Sequence, residues 1–183
     1  MNKVLAVALF LILIPIFIII SLLILIIDGK PILYRSLKYG KNEKKFILFK
    51  FRTMKINTPE KPTQEMGNAN LYTSKLGSIL RKTSIDELPQ LANIILGDMN
   101  FIGPRPGLTE NEDELHHLRK EYNVYTVMPG VTGWAQINGR DNNSYAKKAL
   151  LDKYYVENKS YILDLKILLK TFIIVLDQKL VKH

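Results

Sequence analysis

VLAVALFLILIPIFIIISLLILII, Val4–Ile27, is the stretch that decides what kind of fold this chain can have. Its 24 residues are apolar apart from Ser21, and Pro15 interrupts them near the middle. At about 1.5 Å per residue a straight helix of this length reaches roughly 36 Å, enough to cross a bilayer. A cleaved signal peptide fits poorly: the run is long, and IIDGKPILYR follows where a small-x-small cleavage site would stand. Pro15 removes one backbone donor, and its ring crowds the carbonyl of Leu11. Two courses follow. The helix is kinked and spans, or it bends at Pro15 and returns to the face it entered, with arms of about 18 Å that are each too short to cross. On the residues alone both stay open.

Working outward, a basic block comes next. Residues 28–66 carry ten Lys or Arg and four Asp or Glu, within a chain of net charge +9. Lys30, Arg35, Lys38, Lys41, Lys44 and Lys45 place the following domain on the cytoplasmic side, and Lys3 favours that side too, which supports re-entry. The chain therefore divides into a membrane-inserted segment, residues 1–28, and a domain of residues 29–183. The charge calls for anionic partners such as phosphates or membrane lipid. A nucleic-acid partner is not expected, because stacking aromatics do not interleave with the basic residues and such a role leaves the anchor unexplained. There is no cysteine, which excludes disulfides and thiolate chemistry. His116, His117 and His183 lack helical ligand spacing, so zinc is not expected.

The domain reads as mostly helical α+β. Two β-like runs around Gly40–Asn42 form a small hairpin, and Lys55–Asn70 is a polar loop with two prolines. Helices are expected at Lys75–Lys82, Pro89–Leu96, Thr109–Tyr122 (a charged surface helix, with HHLRKEY solvated) and Ser144–Asn158. Leu163–Leu180 mixes Leu and Ile with Lys166, Lys170 and Lys179, which suits an amphipathic helix at a membrane interface or a core helix. GDMNFIGPRPG reads as a loop, and MPGVTGWAQINGRDNN as loop or short strand.

Three motifs carry chemistry. TSIDELPQL, Thr83–Leu91, sets Asp86 beside Glu87. Ser84 to Glu87 also matches a capping box, so a helix start is the bland reading. Adjacent helical residues point about 100° apart, so the two acids do not share one proton and would have different jobs. In GPRPG, Pro104 and Pro106 stiffen the backbone around Arg105, offering either a rigid turn or a preorganised grip on phosphate. In KFRTM, Lys50 and Arg52 share one strand face and Phe49 and Phe51 the other.

Taken together, YRSLKYGKN…FILFKFRTM, LGSILRKTSIDELPQLANIILGDMNFIGPRPG, PGVTGWAQINGR and YYVENKSYILDLKILLKT resemble the bacterial monotopic phosphoglycosyl transferases over about residues 4–176. The resemblance implies transfer of a sugar 1-phosphate from a UDP-sugar to polyprenyl (undecaprenyl) phosphate, with release of UMP, at the cytoplasmic face of the bacterial inner membrane. It makes Asp86 the nucleophile of a covalent phosphosugar intermediate with Mg²⁺ on the same carboxylate, and Glu87 its catalytic partner. Arg105, between Pro104 and Pro106, becomes a phosphate ligand, and Arg81, Lys50 and Asp164 fall on further substrate-binding positions. The hydrophobic helix becomes re-entrant, broken at Pro15. Ile14 stands where members commonly carry Ser. The alternative is a non-catalytic, basic, membrane-anchored anion-binding adaptor with the acids as helix caps. Asp86→Ser, which keeps capping ability, separates the two.

Overall fold

The computed structural model describes residues 2–58, 71–110, 112–139 and 143–176. Most of the Lys55–Asn70 loop and the last residues expected in the final helix lie outside them. The elements are helix α1 (Asn2–Ile27), strands β1 (Leu33–Tyr39) and β2 (Lys45–Phe51), helices α2 (Lys75–Lys82) and α3 (Gln90–Leu96), strand β3 (Asn100–Ile102), helix α4 (Asp113–Glu121), strand β4 (Gly130–Thr132), and helices α5 (Trp134–Ile137), α6 (Tyr145–Asn158) and α7 (Tyr161–Leu176).

The apolar run forms one helix, α1, with Pro15 inside it. One face of α1 packs on the domain. Ala6, fully buried, joins Phe46, Leu48, Leu91, Ile94 and Met99 in one cluster; Ile20 and Ile24 join Phe51 and Leu80 in another. Fully burying such aliphatic side chains stabilises by about 1.5–3 kcal/mol each. The opposite face leaves Leu11, Ile12 and Ile26 at 60, 70 and 78% exposure, an apolar surface that fits hydrocarbon. Both ends of α1 touch the same domain. Asn2 Nδ2 donates to Asn100 Oδ1 (3.1 Å) and Lys3 Nζ to the Leu96 carbonyl (3.5 Å). At the far end, Arg52 Nη2 donates to the carbonyls of Asp28 and Gly29, 2.6 Å each.

The hairpin is present. β1 and β2 pair antiparallel with Leu33 opposite Phe51 and Tyr39 opposite Lys45. Their link is a 3₁₀ turn, Lys41–Glu43, in which Asn42 and Glu43 take positive φ. The free edge of β2 is closed by a side chain: buried Asn93 of α3 donates to the Ile47 carbonyl (2.7 Å) and accepts from the Phe49 amide (3.1 Å), in place of a third strand. α2 starts at Ser74, whose hydroxyl accepts from the Gly77 amide (2.8 Å). α3 ends at Gly97, φ +93°, a left-handed cap that suits glycine.

Several expectations need correcting. The Thr109–Tyr122 helix starts only at Asp113, because the Glu112 carboxylate turns back to accept from the Leu108 amide (2.6 Å). Its HHLRKEY segment is solvated only in part: His117, Lys120 and Glu121 are exposed, the others are not. Arg119 is buried, and His116 stacks on Tyr39 with ring centroids 4.1 Å apart. The GDMNFIGPRPG and MPGVTGWAQINGRDNN segments hold β3 and β4, which pair in parallel, and α5 follows β4. Arg52 leaves the strand and is buried against the end of α1.

Candidate active site

The acids lie in a single 3₁₀ turn, Ile85–Glu87, between α2 and α3. The capping box does not form. Ser84 sits in the left-handed region (φ 57°) and makes no side-chain cap, and the Glu87 carboxylate points to two cations instead. Lys50 Nζ lies 2.9 Å and Arg105 Nη2 2.6 Å from Glu87 Oε1, while Arg105 Nη1 approaches Oε2 at 3.4 Å. Burial alone would raise the Glu87 pKa, but Arg105 and Lys50 overcome it and hold the carboxyl far below the usual carboxylate range.

Asp86 is different. It is 7% exposed and, among the described residues, makes no hydrogen bond or ion pair. Burial raises its pKa and the neighbouring Glu87 charge adds to this, while Lys50, Arg105 and Arg81 act against them. Asp86 is thus a carboxylate with no hydrogen bond or ion pair among the described residues, within electrostatic reach of three cations. The same turn meets the anchor: Ile85 and Leu88, flanking the acids, pack on the cluster that holds Ile20 and Ile24 of α1.

Arg105 is held by backbone crossing. The Gly103 amide donates to the Thr132 carbonyl (2.9 Å) and the Gly130 amide to the Pro104 carbonyl (3.0 Å). Gly103, Gly130 and Gly133 approach one another so closely that a Cβ on any of them would collide with backbone. This explains three of the four glycines in GPRPG and PGVTGW, all but Gly107, by space. On the other side of Arg105 a narrow cleft is lined by Tyr39, Arg119, Tyr125 and the prolines 104, 106 and 129. Arg119, which lines it, is held in a buried ion pair: its Nε and Nη2 both donate to Asp152 Oδ2, at 2.9 and 2.6 Å.

Of the residues singled out from sequence, Asp86, Glu87, Lys50 and Arg105 converge, with Arg81 close enough to act on Asp86. Asp164 does not join them through any hydrogen bond or ion pair; it accepts from the Tyr155 hydroxyl (2.8 Å) where α6 meets α7. Sequence reading missed Asn93, Arg119 and Asp152. Asp152 had a legible signal, since it falls at helical spacing with buried Ala149 and Tyr155.

Mg²⁺ suits this donor set in one way. Among the described residues no group of three or more His, Asp or Glu could hold a metal by itself. Both Glu87 oxygens are engaged. Of the two acids Asp86 has the oxygens that no described residue engages, and Mg²⁺ is commonly held by one carboxylate together with substrate phosphates.

The apolar helix, the clamped glutamate and an aspartate with no hydrogen bond or ion pair among the described residues lie together in this part of the molecule. The bacterial sugar transferase family matches residues 1–178, and the chain belongs to it. Its class is that of sugar phosphotransferases. A sugar transferase of Bacillus subtilis (strain 168), EpsL, is 44% identical over 146 residues, covering 78% of this chain and 69% of its own. The exopolysaccharide production protein ExoY of Sinorhizobium fredii is 40% identical, covering 86% of this chain and 75% of its own. The UDP-glucose:undecaprenyl-phosphate glucose-1-phosphate transferase of Escherichia coli (strain K12) is 33% identical over 93% of this chain, which spans 38% of that protein's length.

Proposed function

We propose that this chain transfers a sugar 1-phosphate from a UDP-sugar to polyprenyl phosphate, releasing UMP, as a membrane step of glycan assembly. The observation that carries this reading is the contrast between neighbours: Glu87 is saturated by Lys50 and Arg105, while Asp86 makes no hydrogen bond or ion pair among the described residues and lies near cations. The names of the relatives, an undecaprenyl-phosphate galactose phosphotransferase of Salmonella typhimurium among them, supply the substrate classes.

In the first step an Asp86 oxygen attacks the phosphorus that bears the sugar. The bond to the bridging oxygen breaks, UMP leaves, and an aspartyl phosphosugar remains. In the second, an oxygen of polyprenyl phosphate attacks the same phosphorus, and Asp86 leaves as carboxylate. The difficulty is charge: two unit charges 4 Å apart repel by about 4 kcal/mol at an effective dielectric near 20. Arg105, pinned by its loop and by Glu87, and Arg81 offset part of this for the incoming diphosphate. Mg²⁺ on Asp86, when bound, supplies further neutralisation of the phosphates. Lys50 holds Glu87 in place, and Glu87 in turn aims Arg105.

The acceptor phosphate lies at headgroup height. Two observations support placing the site there: Ile85 and Leu88 pack on the α1 cluster, and α1 contacts the domain at both ends. A helix docked at both ends on one domain keeps both ends on that domain's side, which supports a re-entrant or in-plane course over a span. The basic residues after α1 put that side at the cytoplasm. The exposed Tyr161, Ile162, Leu165 and Phe172 of α7, with Lys166 and Lys170, would lie along the same interface. A screen of UDP-sugars with polyprenyl phosphate in nanodiscs, read by UMP release, tests the reading. Release with at least one sugar, dependent on Asp86, is the expected result, and none with any sugar overturns it.

A further inference from the structure

KFR at the end of β2 holds two basic residues, Lys50 within the strand and Arg52 just past it, and they go in different directions. Lys50 goes to the dyad. Arg52, 6% exposed, goes to the end of the membrane helix, where its Nη2 reaches the carbonyls of Asp28 and Gly29. Asp28 is the residue on which α1 ends, and its amide still donates to the Ile24 carbonyl (2.8 Å). Its carboxylate accepts from the Ser74 hydroxyl (2.9 Å). That same hydroxyl caps α2, which leads through Arg81 into the Asp86–Glu87 turn. Between them the chain at Thr53 is pressed against Gly77 so closely that any Cβ there would strike backbone. One joint thus ties the exit of the anchor to both routes into the active site.

A buried guanidinium is costly, and Arg52 Nε has no hydrogen-bond partner among the described residues. Packing alone would be served better by an apolar residue. What arginine offers is a rigid fork that fixes a turn against a strand. We infer that Arg52, Asp28 and Ser74 are positioning residues that set the height of the catalytic turn relative to the bilayer, and so govern the lipid acceptor rather than the soluble donor. This rests on the function proposed above.

The test is steady-state kinetics of full-length protein in nanodiscs, with UDP-sugar and polyprenyl phosphate varied separately. Arg52→Lys keeps the charge and loses the fork. A misplacement of about 1 Å costs on the order of 10²-fold in rate. We expect kcat/KM for the lipid to fall by about that factor while kcat/KM for the UDP-sugar stays within about threefold. Ser74→Ala breaks the joint from its other side and should show the same split at about tenfold, which keeps the test open if Arg52→Lys fails to fold. Asp28→Ala should match it, and Asp28→Asn, which still accepts from Ser74, should restore the lipid value. A parallel fall in both constants, or no fall in either, overturns the inference. A wild type that transfers from no UDP-sugar instead sinks the proposed function itself, and this inference with it.

Discussion

Arg105 and Glu87 meet end to end, Nη2 on Oε1 at 2.6 Å and Nη1 on Oε2 at 3.4 Å. With Lys50 also on Oε1, the glutamate is fully committed to holding cations. Of two adjacent acids one is held by two cations, and the other makes no hydrogen bond or ion pair among the described residues.

Glu87→Gln removes the charge that holds Lys50 and Arg105 side by side. Turnover should fall by at least about 10²-fold, because Arg105 loses its aim. Stability should fall by about 2 kcal/mol, the scale of hydrogen bonds to a charged group, discounted because Arg105 is partly solvated. Denaturant unfolding and initial rates check both. The acid limb of the pH–rate profile should also move to lower pH, since Glu87 charge helps to raise the Asp86 pKa.

Asp86→Asn should abolish transfer and yet raise the melting temperature. Burial, with the Glu87 charge, raises the folded-state pKa of Asp86. The stability this carries is whole below the ordinary aspartate value and is lost as pH rises through the folded value. At neutral pH the wild type therefore bears the cost of a buried charge, and Asn removes it. The gap in melting temperature should close as pH is lowered toward the ordinary aspartate value. A variant less stable than wild type at neutral pH contradicts this.

Arg119→Met leaves Asp152 buried and unpaired and should cost about 3–5 kcal/mol. The double variant Arg119→Met with Asp152→Leu should recover much of that loss. A double-mutant cycle by urea unfolding measures the coupling, and additive losses would show that the pair does not act as a pair.

Gly130→Ala places a methyl against the Gly103 backbone. The β3–β4 pair and the loop behind it must shift, and Arg105 shifts with them. Activity should fall more than ten-fold, about what a sub-ångström displacement of a phosphate ligand costs, together with a lower melting temperature.

Local signals in the sequence were legible and held. The apolar spacing of Leu76, Ile79 and Leu80 marks Lys75–Lys82, where α2 stands, and the β-like runs around Gly40 mark the hairpin. Ser144 caps α6. Asp86, Glu87, Lys50 and Arg105 could be singled out from their motifs. What could not be read were long-range partners. Arg52 looked like a strand-face cation until the end of α1 arrived beside it. HHLRKEY looked solvated because its charge is high, while the groups that bury part of it, Tyr39, Tyr125 and Asp152, lie 33 to 77 residues away or on another element. The capping box failed because tertiary ion pairs at Glu87 outweighed a local hydrogen bond of about 1 kcal/mol.

The attack of Asp86 on phosphorus is tested most directly by incubating the purified enzyme with its UDP-sugar and no lipid. The account predicts rapid release of about one UMP per enzyme, with a sugar phosphate retained on the peptide that contains Asp86, and neither in Asp86→Asn. UMP that appears only once polyprenyl phosphate is added, with no mass gained by the protein, would contradict it.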